Sequence, residues 1–140
     1  MANPGPASTV TANAVLDPNN ALRLIAFVKG LSVGAAGDTQ MNVITPGNFV
    51  PVTVLTCNSA QGTTVNVAAA TVGVYTGPAQ TGSTVHAAAA LTGQTTGAFA
   101  YVRAASVANA QISATNLYAY VGTAVAGGVV DLYVYGYDTQ

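Results

Sequence analysis

The sequence predicts an all-β fold, in which antiparallel strands form a β-sandwich. Apolar residues occur in short runs, several of which alternate with polar residues, and Gly, Pro and Asn separate these runs at modest spacing. Such runs are typical of sandwiches and barrels, and a sustained helical period is missing. The 140 residues fit one domain. An eight-stranded jelly roll fits this length, although strand order, which separates a jelly roll from other sandwiches, cannot be read from a sequence.

We expect a flexible N-terminal arm, residues 1–20, followed by a single folded domain, residues 21–140. The first segment, MANPGPASTVTANAVLDPNN, contains three prolines and many small residues. That composition buries too little apolar surface to fold alone. Asp17 and Pro18 then indicate a turn, because proline presets its backbone angle and aspartate caps turns. The first strand is therefore predicted just beyond residue 20.

The first half of the domain contains three predicted strands. The run LRLIAFVKG is apolar on both alternating faces, which indicates a strand buried on both sides. A short run, MNVIT, follows. The third run, FVPVTVLTC, includes Pro51, which lacks an amide proton and therefore indicates either a sheet edge or a bulge.

The second half continues the series but contains one ambiguous segment. TTVNVAAATVGVYTG is strand-like at both ends, and AFAYVRAASV, ISATNLYAYVG and VVDLYVYGYD complete the strands. The segment TGPAQTGSTVHAAAALTG begins as a loop and then fits either a helix or a strand. Ser83 and Thr84 suit a helix cap and Gly93 a helix end, but about two turns are marginal without tertiary contacts.

Charged residues make up only 5% of the chain, against roughly 25% in ordinary soluble domains. A surface of this kind repels other copies weakly, so we expect the protein to work packed against neighbours. Three scattered cations cannot neutralise many phosphates, which argues against nucleic-acid binding. We expect no membrane segment and no secretory signal, and therefore synthesis in a cytoplasm. The charged residues are Arg23, Lys29, Arg103, Asp17, Asp38, Asp131 and Asp138.

The sequence contains no recognisable catalytic or metal-binding motif, so we expect neither enzyme activity nor a cofactor. The only histidine, His86, has no carboxylate close in sequence to orient it, as acid–base or nucleophilic catalysis requires. The only cysteine, Cys57, lies at a predicted strand end and is interpreted as a small buried hydrophobe. A calcium site at Asp17 or Asp38 is disfavoured, because neither lies in an acidic cluster.

Five of the seven tyrosines lie on alternate positions of the last two predicted strands. Alternate side chains of a strand point to opposite faces, so each strand has one aliphatic face and one tyrosine face. The aliphatic faces suit a sandwich interior and the tyrosine faces suit the outside. Tyrosine is enriched at protein interfaces, which makes the following residues our candidate protein-interface site: Tyr118, Tyr120, Tyr133, Tyr135 and Tyr137.

The runs ATVGVYTGPAQTGSTVHAAAAL and NLYAYVGTAVAGGVVDLYVYGYD resemble the capsid cement or decoration proteins of tailed-phage heads, such as those of podoviruses. The resemblance covers roughly residues 65–138 and lies in strand pattern rather than in a motif. It implies a jelly-roll protein, without enzyme activity or cofactor, on the outside of the virion. It also implies that the protein bridges capsomers of the major capsid protein against internal DNA pressure and forms a homodimer or homotrimer. Synthesis would then take place in the host cytoplasm.

Two other functions remain open from the sequence. A jelly-roll carbohydrate-binding or adhesin module can use tyrosines as a sugar platform, although the lack of tryptophan and the few carboxylates count against it. An enzyme ranks third, because the inventory of acids, bases and nucleophiles is so small.

Overall fold

The computed structural model of this chain describes residues 21–58, 65–95, 102–103, 108 and 110–139, and only the backbone of residues 102–103. The predicted arm, residues 1–20, lies outside the described residues. The described part contains ten strands and no helix, which confirms the all-β prediction. The strands are β1 Leu22–Ser32, β2 Gly37–Gln40, β3 Asn42–Val43, β4 Gly47–Asn58, β5 Thr71–Tyr75, β6 Thr84–Ala90, β7 Val102–Arg103, β8 Ile112–Ala114, β9 Tyr118–Val121 and β10 Val129–Asp138.

The strands form two antiparallel sheets, an arrangement consistent with a β-sandwich. One sheet has six strands in the order β3-β1-β10-β4-β7, with β8 also paired to β4. The other has four strands in the order β2-β9-β5-β6. The segment that fitted either a helix or a strand is therefore strand β6, paired with β5. Tertiary pairing settles its conformation, because the isolated segment is too short to be a stable helix.

The aliphatic faces of both sheets form one hydrophobic core. From β10 it receives Val130, Leu132 and Val134, and from β9 it receives Ala119 and Val121. All five are almost completely buried. The prediction that the aliphatic faces of the last two strands lie inside is therefore confirmed.

Strand β1 is buried on one side only, so the prediction of burial on both sides is wrong for this strand. Ala26 and Val28 lie in the core, whereas Leu24 and Phe27 are half-buried. Leu24 and Phe27 pair with Tyr135 and Tyr133 of β10. They therefore lie on the outer face of the six-stranded sheet, where the described residues supply no second covering layer.

Pro51 lies in an interior strand at a bulge. Strand β4 as a whole has β10 on one side and β7 and β8 on the other, so it is not an edge strand, although Pro51 lies between the segments that pair with β8 and β7. The pairing of β4 with β10 slips by one residue at this point, where Thr53 faces Tyr135 and Pro51 faces Gly136. The bulge alternative is therefore correct, and the extra residue, Val52, increases local twist.

Gly136 allows the two backbones to approach closely at this bulge. A Cβ at this position would lie 2.6 Å from the Val50 carbonyl oxygen and 3.2 Å from the Pro51 Cα. Both are backbone atoms and cannot move aside like a flexible side chain. The six-stranded sheet therefore requires glycine here.

We predict that Gly136→Ala destabilises the fold by about 1–3 kcal/mol, because the new methyl group forces a backbone shift in a packed sheet. The free energy of unfolding in denaturant measures the effect. Gly34→Ala is the matched control, since the nearest atom to a Cβ there is 3.4 Å away. Equal stability of the two variants would contradict this account of the bulge.

Candidate functional site: the tyrosine-bearing sheet faces

The five candidate tyrosines lie on two different surfaces. Tyr118 and Tyr120 belong to β9 in the four-stranded sheet, and Tyr133, Tyr135 and Tyr137 belong to β10 in the six-stranded sheet. Their alternate neighbours fill the core, so both groups point away from it. The structure therefore brings each group together but places the two groups on the outer faces of different sheets.

On the six-stranded sheet, the β10 tyrosines form the middle column of a block three strands wide. Each tyrosine pairs with one residue of β1 and one of β4, and cross-strand partners share a face. None of the side chains in this block is charged. We call this block the tyrosine face, and its three rows are Phe27–Tyr133–Leu55, Leu24–Tyr135–Thr53 and Leu22–Tyr137–Val50.

Exposed apolar surface is concentrated on this sheet. Among the described residues, the exposed large hydrophobic side chains are Leu22 (50%), Ile44 (54%), Val52 (41%) and Tyr137 (42%). Leu22 and Tyr137 form the last row of the tyrosine face, and Val52 is the bulge residue of β4. Ile44 lies beside β1, where its amide donates a hydrogen bond to the Ile25 carbonyl. Exposed large apolar side chains gathered on one sheet are typical of an interaction surface.

One side chain in the middle row of the tyrosine face is already buried. Thr53 lies opposite Tyr135 and is only 4% exposed. Among the residues that the structure describes, its hydroxyl oxygen Oγ1 has no hydrogen-bond partner. An unpaired buried hydroxyl is costly in a folded protein, so the surrounding aromatic and aliphatic packing must outweigh that cost.

Charged residues border the tyrosine face, since the backbone of β7 pairs Arg103 with Leu55 and Asp131 lies beyond one end. Asp131 pairs with Cys57 in the row after Tyr133 and Leu55. Its carboxylate oxygen Oδ1 accepts a 2.8 Å hydrogen bond from the Gly30 amide. Burial raises the pKa of the Cys57 thiol, and the charge of Asp131 adds to the increase. Cys57 is free and buried, as predicted.

The outer face of the four-stranded sheet is more polar. Tyr120 pairs with Asp38 on one side and Gly73 on the other, and Tyr118 pairs with Gln40 and Tyr75. The Asp38 carboxylate accepts a 2.8 Å hydrogen bond from a backbone amide in the turn between β5 and β6. This face therefore combines aromatic rings with polar and charged groups.

Tyr75 is a part of this face that sequence reasoning missed. Its ring meets that of Tyr120 edge-on, with centroids 6.4 Å apart and planes at 82°. Its hydroxyl accepts a 3.1 Å hydrogen bond from the Ala88 amide. The ring also covers Gly73, where a Cβ would lie 2.8 Å from the Tyr75 ring. The sequence does carry a sign of this packing, since an aromatic residue near a strand glycine often covers it.

The described residues show no assembled catalytic or metal centre. His86 is buried on β6, opposite Val74 of β5. The described part of the chain contains no group of three or more His, Cys, Asp or Glu side chains placed to hold a metal ion. Asp17 lies outside the described residues. In the same described part, no helix has the length and apolarity needed to cross a membrane.

No protein-family model, curated protein or solved structure matches this chain. Its function is therefore inferred from these two surfaces and from the strand arrangement.

We predict that Tyr75→Phe lowers the free energy of unfolding by about 1 kcal/mol, because the Ala88 amide loses its hydrogen-bond acceptor. Chemical denaturation measures the change. Tyr118→Phe is the control, since the Tyr118 hydroxyl makes no hydrogen bond with the described residues, and we expect a change within about 0.5 kcal/mol. A loss of stability in the control as large as in Tyr75→Phe would refute this role.

We also predict that the Cys57 thiol reacts slowly with thiol reagents at mildly alkaline pH and reacts quickly once the chain is unfolded, because the thiolate is the nucleophile. The raised pKa has a further consequence for stability. Below the ordinary value of 9.0 the thiol is protonated in both states, and above it the unfolded chain loses this proton first. Stability therefore decreases as pH rises from that value through the pKa of the folded state.

The measurement compares the free energy of unfolding of the wild type with that of Cys57→Ala as a function of pH. The difference between the two isolates the contribution of the Cys57 thiol from that of every other group. A constant difference across the alkaline range would show that the pKa is not raised.

Proposed function

We propose that this chain is a viral structural protein, a capsid cement or decoration subunit of a tailed phage. It binds the outside of the head and bridges capsomers of the major capsid protein, which stabilises the shell against internal DNA pressure. The observation that carries this proposal is the presence of outward-facing tyrosines on both sheets of a chain with very few charges. A subunit with two contact surfaces facing different ways is suited to hold two neighbours together.

We further propose that the fold is an eight-stranded jelly roll, and the pairing of the strands supports this. Strand β1 pairs with β10, β2 with β9, β4 with β7 and β8, and β5 with β6. The chain thus pairs from its ends inwards, like one long antiparallel ribbon rolled into two sheets. Counting β7 and β8 as one interrupted strand, and β3 as an addition, gives eight strands. Jelly rolls are common in viral capsid proteins and in lectins.

The chemistry of the surface supports contact with protein. Tyrosine provides a large, rigid contact area with a polar tip and is enriched in interfaces. Many copies, each with a modest interface, would together make a shell hard to rupture. The proposal requires no cofactor and no enzyme activity, and it includes a homodimer or homotrimer on the virion exterior. It does not involve nucleic acid or a membrane.

The alternative is a carbohydrate-binding or adhesin module. The observation in its favour is the row of Tyr133, Tyr135 and Tyr137 along one strand, since aromatic rows can stack on sugar rings. The lack of charged groups among these residues leaves few strong acceptors for sugar hydroxyls. For this reason the alternative ranks second.

The test mixes the purified protein with tailed-phage heads or expanded capsid shells, sediments the shells and counts bound copies. We expect saturable, stoichiometric binding that raises the temperature of shell rupture. The variant Tyr133→Ala/Tyr135→Ala tests one face and Tyr118→Ala the other, and at least one of them should abolish binding. Ala87→Ser, on the exposed part of β6, is the control that should bind normally. Thermal unfolding confirms that each variant is folded.

Failure to bind any shell would overturn the cement proposal. Robust hits in a glycan screen, lost in the tyrosine variants, would favour the carbohydrate-binding alternative instead.

A further inference from the structure

The two tyrosine-bearing surfaces differ in polarity, so we expect them to bind different partners. The tyrosine face of the six-stranded sheet is uncharged across its three rows, and every exposed large hydrophobic among the described residues lies on or beside that sheet. The outer face of the four-stranded sheet includes Asp38 and Gln40 beside Tyr120 and Tyr118. One surface is therefore suited to an apolar partner and the other to a polar one.

We propose that the tyrosine face is the contact between two copies of this chain, packed six-stranded sheet against six-stranded sheet. This inference rests on the self-association that the proposed function includes and names the surface for it, but pairing of two copies requires no capsid and is tested without one. It assigns Tyr133, Tyr135 and Tyr137 to self-association and leaves Tyr118 and Tyr120 for a different partner.

Charge complementarity favours a second copy as the occupant. Complementary charge on the two partners contributes to the specificity of an interface. An uncharged face offers a charged partner no ion pair, so that partner would lose hydration without compensation. A second copy presents an equally uncharged surface, so its approach leaves no charge unpaired. Asp131 lies beyond the end of the face, and Arg103 pairs with Leu55 at its side, so charged residues border the face without entering its three rows.

The shape of the face also suits a second copy. The tyrosines form one column on β10, and the uncharged residues of β1 and β4 that pair with them form a column on each side. Two aligned sheets pack with their strands about 30° apart. The tyrosine column of one copy then crosses the flanking columns of the other. With Tyr135 at the centre of the face, a twofold axis passes close to it and brings the two copies of Tyr135 together.

The area of the sheet is sufficient for a specific dimer. The six-stranded sheet consists of three long strands, β1, β4 and β10, and three short ones of two or three residues. At about 4.8 Å per strand and about 3.3 Å per residue, its strands together present an outer face of roughly 630 Å². A standard specific interface buries roughly 600–1,000 Å² on each partner, with an apolar core and a polar rim. The tyrosine face would form that core.

The experiment measures the mass of the full-length chain by sedimentation over a range of concentrations. We expect a monomer–dimer equilibrium. Tyr135→Glu and Tyr135→Lys should each weaken the dimer roughly tenfold or more, because like charges meet at the twofold axis. An equimolar mixture of these two variants should restore a dimer that contains one copy of each. Only a contact between identical faces produces this rescue.

Tyr118→Glu, on the opposite sheet, is the matched control and should dimerise as the wild type does. If the Tyr135 variants fail to fold, Tyr137→Glu and Tyr137→Lys provide the same test at a residue that is 42% exposed. A wild-type monomer at every concentration would overturn the proposal and leave residues 1–20 or a different protein as the occupant. A dimer that Tyr118→Glu disrupts and the Tyr135 variants do not would overturn it as well.

Discussion

The alternation along β10 is the constraint on which the rest of the structure depends. This strand lies between β1 and β4, so it pairs the end of the chain with its beginning and its middle. Its even-numbered aliphatic residues close the core, and its odd-numbered tyrosines define the outer surface. A slip of one residue would exchange the two faces. The bulge at Pro51 and the missing side chain of Gly136 help to hold that register.

The same arrangement explains the cohesion of a chain that has few charges. The ion pair described between Arg23 and Asp138, 3.0 Å long, also joins β1 to β10, but it is partly exposed and contributes modestly. Stability therefore depends on apolar packing between sheets whose strands are far apart in sequence. Folding must close those long loops before the core forms, which is slow in β-sandwich topologies. Until β10 is in place, β1 and β4 leave apolar surface uncovered.

The scarcity of charge and the position of the tyrosines connect the fold to function. Strands β9 and β10 follow each other in the chain but belong to different sheets, so one short segment supplies aromatic groups to both outer faces. The tyrosine face is apolar and the other face is mixed, with Tyr75 and Tyr120 packed edge-on beside Asp38. In the proposed assembly, the tyrosine face would contact a second copy and the outer face of the four-stranded sheet would contact a scaffold.

The amino-acid sequence by itself determined the all-β class, most strands and the burial of Cys57. It also determined that five tyrosines point outward, because alternate side chains of a strand point to opposite faces; these are Tyr118, Tyr120, Tyr133, Tyr135 and Tyr137. The sequence did not decide whether β6 is a helix or a strand, it wrongly predicted a second buried face for β1, and it did not identify Tyr75 as part of a tyrosine-bearing surface. Only the tertiary structure decided that β9 and β10 lie in different sheets, that β4 is an interior strand, and that the tyrosines form two surfaces. Those features depend on pairing between residues far apart in the chain, about which a local pattern carries no information.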